Sequence, residues 1–109
     1  MKIPDIPLEE TIDFLVQLLK TPSPTGDTEM ALAFVADACA DLPLTQHHPR
    51  KGGLLFSWEG DDTKPRALTA HVDTLGAMVK EIKSNGRLRL TALGGFDWHT
   101  LEGEGCTVM

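Results

Sequence analysis

His71-Val72-Asp73 sets an imidazole and a carboxylate two residues apart at the end of the apolar run Ala67-Leu68-Thr69-Ala70, a spacing that suits metal chemistry. A strand repeats every two residues, so both side chains would project from one face, and the carboxylate could orient the imidazole. One ring nitrogen then binds a cation while the Asp fixes the tautomer through the other. Gly76 follows closely and is read as letting the backbone turn sharply away from the site. By residue type alone, a His beside an Asp at a strand end is more commonly an ordinary hydrogen-bonded pair.

Other reactive residues form weaker patterns. His47-His48 precedes Pro49; neighbours on an extended segment point to opposite faces, so solvated loop histidines are favoured over a metal pair. Trp98-His99, after Gly94-Gly95-Phe96-Asp97, would serve as a substrate-contact loop or, more commonly, as an aromatic cover at a sheet end. Glu102-Gly103-Glu104-Gly105 lacks calcium-loop spacing and reads as a turn. Ser23 has no nucleophile elbow around it. Cys39 and Cys106 lie far apart without CxxC spacing, so no disulfide framework is indicated, and Cys39 reads as a small core residue.

The elements that would carry these residues are helices first and strands afterwards. Leu8, Ile12, Leu15, Val16 and Leu19 follow helical periodicity from a start at Asp5 or Pro7 to an end by Lys20. Glu9, Glu10 and Asp13 suit the positive end of that helix dipole. Pro22 and Pro24 forbid helix through Thr21–Gly26, and Asp27 or Thr28 can cap a second helix whose face is Ala31, Phe34, Val35, Ala38, Cys39 and Leu42. Beyond Pro43, Leu44 to His47 and Leu54 to Trp58 read as short strands around Lys51-Gly52-Gly53, with Gly60-Asp61-Asp62 as a turn before a buried strand Ala67 to Ala70. Ala77 to Lys83 and Arg87 to Leu93 flank Ser84-Asn85-Gly86, a hairpin signal, with Leu88, Leu90 and Ala92 expected on a dry face and Arg87, Arg89 and Thr91 on a wet one. Cys106 to Val108 reads as a last strand. No internal repeat or low-complexity segment is present.

Composition narrows the partners. Sixteen acidic against ten basic residues give a formal charge of −6, and the basic residues are scattered, so nucleic acid is not an expected partner. No apolar stretch has the length of a membrane span, and Met1–Pro7 is not a signal peptide. The expected location is the cytoplasm.

The stretch from Thr69 through His71, Asp73 and Gly76 to Ile82, then Asn85-Gly86, Leu93-Gly94-Gly95 and Glu104 to Val108, resembles the co-catalytic zinc aminopeptidases of the glutamyl/tetrahedral aminopeptidase family. Thr21-Pro22-Ser23-Pro24-Thr25-Gly26, with Glu29 beyond it, is similar to that family's first helix-loop-helix, so the likeness runs from about Leu8 to the last residue. It departs at Thr74, where many relatives carry Glu, a side chain outside the family's ligand set. The resemblance implies an α/β fold: residues 1–76 opening a zinc-peptidase-like α/β sandwich, then 77–109 as the first, truncated strands of an inserted β-rich domain used in homo-oligomer assembly. It implies an N-terminal portion of a longer metalloaminopeptidase that removes N-terminal residues from peptides with water activated by two divalent ions, zinc or cobalt. His71 would be a ligand of one ion, Asp73 the active-site carboxylate that orients it, and the remaining ligands and the general base would lie beyond residue 109. It further implies a cis peptide at Asp73-Thr74, and a 109-residue piece inactive by itself. A non-enzymatic assembly or binding module, and an endoglucanase-type glycoside hydrolase, are the alternatives; the latter needs two carboxylates flanking a sugar cleft.

Overall fold

The computed structural model describes residues 5–60 and 63–109. The expected turn at Gly60-Asp61-Asp62 and the first residues of the Met1–Pro7 segment therefore fall outside the described residues. The chain divides into two compact units, Met1–Ser23 with Asp27–Val72, and Pro24–Gly26 with Asp73–Met109.

In the first unit, α1 spans Leu8–Lys20 and α2 spans Glu29–Ala38. Pro7 stands at the N-cap of α1, where a missing N–H costs nothing, and its carbonyl accepts from both the Thr11 N–H (3.0 Å) and the Thr11 hydroxyl (2.8 Å). Glu9 and Glu10 in the first turn and Lys20 in the last complement the helix dipole. The helix ends at Thr21 because Pro22 disfavours helical geometry before it, and Thr21 is extended (φ −79°, ψ 122°). The helices meet through Phe14 and Phe34, whose rings stack at 5.3 Å between centroids. Such a pair adds about 0.5–1.5 kcal/mol beyond the area it buries.

Helix α2 stops four residues short of the expected Leu42. Cys39 is its C-cap, and the chain tightens into turns, with Ala40 N–H donating to the Asp37 carbonyl and Leu42 N–H to the Cys39 carbonyl. Pro43 again disfavours α geometry at the residue before it. The small sheet of this unit pairs β1 (Thr45–His47) antiparallel with β2 (Leu55–Ser57), and Gln46 Nε2 donates to the Ala36 carbonyl at 3.2 Å, tying β1 to the end of α2.

The second unit is built on β3 (Gly76–Ile82) and β4 (Leu88–Leu93), antiparallel around the expected turn, where Gly86 takes a φ of 79° that residues with a Cβ rarely adopt. The register shifts between Val79 and Glu81, leaving Lys80 as a bulge. Glu81 and Arg89 pair across the strands at 3.3 Å, an exposed contact of about 0.2–1 kcal/mol. A single-turn 3-10 helix, Trp98–Leu101, follows, with Trp98 set edge-on against Phe96 at 5.2 Å.

Three expectations are corrected. Ala67 to Ala70 forms no strand and Leu68 is 98% exposed; an extended segment becomes a strand only through a ladder partner, and none pairs with it among the described residues. Cys106 to Val108 is irregular for the same reason. Leu88 and Leu90 are exposed rather than on a dry face, because neither face of a two-stranded ribbon carries a covering layer of its own. Mixed helices and small antiparallel sheets are the observed architecture. Among the described residues only Ala31 and Ser23 are buried, and no large side chain is fully so. No described helix is long and apolar enough to cross a membrane.

Candidate functional site

Asp73 opens the larger segment of the second unit and Thr25 belongs to the short segment, Pro24–Gly26, packed with it. The Thr25 hydroxyl donates to Asp73 Oδ2 at 2.8 Å, a contact across 48 residues of sequence. Backbone pairing sets it up: Pro24 and Thr74, the neighbours of these two residues, form an isolated parallel bridge. Asp73 is half-buried and Thr25 exposed.

Gly76 contributes differently from expected. Its φ is not positive, and it is the first residue of β3 rather than a sharp turn. A Cβ at this position would stand 3.0 Å from the Pro24 Cβ, so the missing side chain admits the Pro24-Thr25 segment beside Asp73. Gly76→Val is therefore expected to overpack this contact and destabilise the full-length protein by about 1–3 kcal/mol, read from denaturant melts; an unchanged midpoint refutes the close approach.

His71 lies in the other unit, exposed and in irregular backbone rather than in the expected strand. The Asp73-Thr74 peptide is trans in this chain; the cis bond is an expectation for the intact, metal-loaded enzyme. His47 ends β1, and His48 lies in the loop after it, beside Pro49. Cys39 is half-buried, Cys106 is exposed, and both are free.

Imidazole and carboxylate are donors that zinc and cobalt accept, and a carboxylate itself held by a hydrogen bond is the usual support for a metal-binding imidazole. By residue type, then, an imidazole such as His71 and a carboxylate such as Asp73, held by Thr25, are the donors and supports that such a centre uses. Among the described residues no group of three or more His, Cys, Asp or Glu could hold a metal ion. Thr25 carried no signal of its own in the sequence, since the proline-rich loop around it announced the absence of helix and the family's helix-loop-helix but no role for the hydroxyl.

The sequence profile of the M42 glutamyl aminopeptidases matches residues 52–109, the half of the chain that contains His71, Asp73 and the hairpin. A protein of Bacillus subtilis strain 168 named "Putative aminopeptidase YhfE" is 41% identical over 102 residues, covering 93% of this chain and 30% of that relative. The chain belongs to the M42 glutamyl aminopeptidase family and spans less than a third of that relative's length.

Proposed function

We propose that the full-length protein is a metal-dependent aminopeptidase that removes N-terminal residues from peptides, with His71 as a ligand of one of two divalent ions and Asp73 as the carboxylate that orients it. The family match across residues 52–109 is the observation that carries this reading, and the Thr25 hydroxyl held on Asp73 supports it. When bound, a pair of divalent ions, zinc or cobalt, polarises a scissile carbonyl and brings a bound water toward neutral pKa. The residues on this chain supply less: His71 presents one neutral ring nitrogen, and Asp73 fixes its tautomer and raises its basicity through the other. The general base and remaining ligands are proposed to lie beyond residue 109, as the family resemblance implies for a chain that covers 30% of its relative.

Residues 1–76 then open the catalytic α/β sandwich, and residues 77–109 begin an inserted β-rich domain through which a homo-oligomer assembles; the β3–β4 hairpin with its uncovered faces suits that role. The cytoplasm is the proposed location. The test is hydrolysis of aminoacyl chromogenic substrates and short peptides by the purified full-length protein, before and after chelation and with zinc or cobalt restored. Release of N-terminal residues that chelation stops and metal restores is expected; cleavage insensitive to chelation, or none with any peptide, overturns the reading.

A further inference from the structure

We infer that Thr25 is the positioning residue for Asp73, a role that rests on the aminopeptidase reading for its catalytic consequence but not for its geometry. The terminal torsion of an Asp side chain is broad and roughly two-fold, so a carboxylate left to itself samples a wide range of orientations. An aspartate that must orient an imidazole needs that range narrowed. The Thr25 hydroxyl, donating to Oδ2 at 2.8 Å, narrows it. A carboxylate has about four lone-pair sites, so the two roles do not compete.

The donor is itself held. Threonine is β-branched and stiff at its first side-chain torsion. The residue before it is a proline whose ring fixes φ, and that proline is bridged through its backbone to Thr74, the residue after Asp73. Gly76 clears the space, since a Cβ there would meet Pro24 at 3.0 Å. A two-residue backbone register, a missing side chain and a hydroxyl thus converge on one carboxylate from a segment 48 residues away. A constellation fixed by its own supporting contacts is what precise orientation requires.

The experiment is a double-mutant cycle in the full-length protein with Thr25→Val, which keeps the shape and removes the donor, and Asp73→Ala, which removes the acceptor. Thr25→Ser, which keeps the hydroxyl, accompanies it. Three quantities are read: kcat/KM on an aminoacyl chromogenic substrate, the zinc dissociation constant by chelator competition, and the unfolding equilibrium constant of the metal-free protein. Thr25→Val is expected to weaken zinc binding and lower kcat/KM by about three- to tenfold, less than loss of the carboxylate partner itself. Thr25→Ser restores most of the loss, and the Val substitution has little further effect once Asp73 is Ala. Equal Val effects in the wild-type and Asp73→Ala backgrounds show a merely structural threonine and overturn the proposal.

If the wild-type protein neither hydrolyses peptides nor binds zinc, the aminopeptidase reading fails by itself. The metal-free unfolding cycle still decides on Thr25, with a coupling of about tenfold or more expected for a hydrogen bond to a carboxylate. Should Thr25→Val not fold, a crystal structure of the wild-type protein decides: a Thr25 Oγ1 to Asp73 Oδ2 separation beyond about 3.5 Å overturns the assignment.

Discussion

His71→Ala in the full-length protein is expected to lower metal content and abolish peptide hydrolysis. The substitution removes a direct donor, and among the described residues no group of three or more His, Cys, Asp or Glu could hold a metal ion in its place. Asp73→Asn should be milder, because the ligand stays while its orientation and basicity suffer; loss of such a partner costs about 10- to 100-fold in affinity or activity. At about 1.4 kcal/mol per factor of ten, that is a small part of a metal centre's binding free energy. A dead His71 variant whose metal-free form unfolds at the wild-type midpoint reports on the site and not on the fold; the metal-loaded transition falls because bound metal stabilises the folded state. Metal analysis and aminopeptidase assays on both variants check the order of effects. Full activity in the His71 variant would sink the ligand assignment, and an Asp73 variant as damaged as His71→Ala would mean that Asp73 does more than orient.

The parts of the fold that were legible in the sequence are those whose signals are local. Helix α1 starts and stops where Pro7 and Pro22 dictate, and the β3–β4 hairpin turns at Asn85-Gly86 because glycine there accepts a positive φ. Where a partner distant in sequence decides, the reading failed. Ala67 to Ala70 has the composition of a buried strand, yet composition cannot supply the neighbour that would make it one, and Leu68 stands exposed. The bulge at Lys80 left no mark in the alternation of Arg87 to Leu93. The site divides in the same way. His71 and Asp73 announce themselves by type and spacing, whereas Thr25 becomes visible only when a parallel bridge lays Pro24 beside Thr74. Gly76 was singled out for the wrong reason, as a turn residue, when its use is the room it leaves for Pro24.

The 109 residues taken alone are expected to show no peptidase activity. A two-metal site needs several carboxylates and a base held within reach of a water, and no three candidate donors come together among the described residues. One imidazole binds zinc weakly, so added metal should not rescue turnover. The same chain is expected to self-associate. Leu8, Ile12, Leu15 and Leu19 recur on helical spacing along α1 and all are exposed, as are Met78, Val79 and Ile82 on β3. Exposed apolar side chains on each element drive association when nothing covers them. The measurement pairs hydrolysis of aminoacyl chromogenic peptides, with zinc or cobalt added, with the size distribution in solution. No turnover and a concentration-dependent shift to larger species are expected. Metal-dependent turnover that survives purification away from host peptidases would show that these residues hold a complete site, and would overturn the assignment of the general base and remaining ligands to sequence outside them. A monodisperse monomer across the concentration range would show that the apolar face of α1 is not a sticky surface, and would count against self-association while leaving the site argument standing.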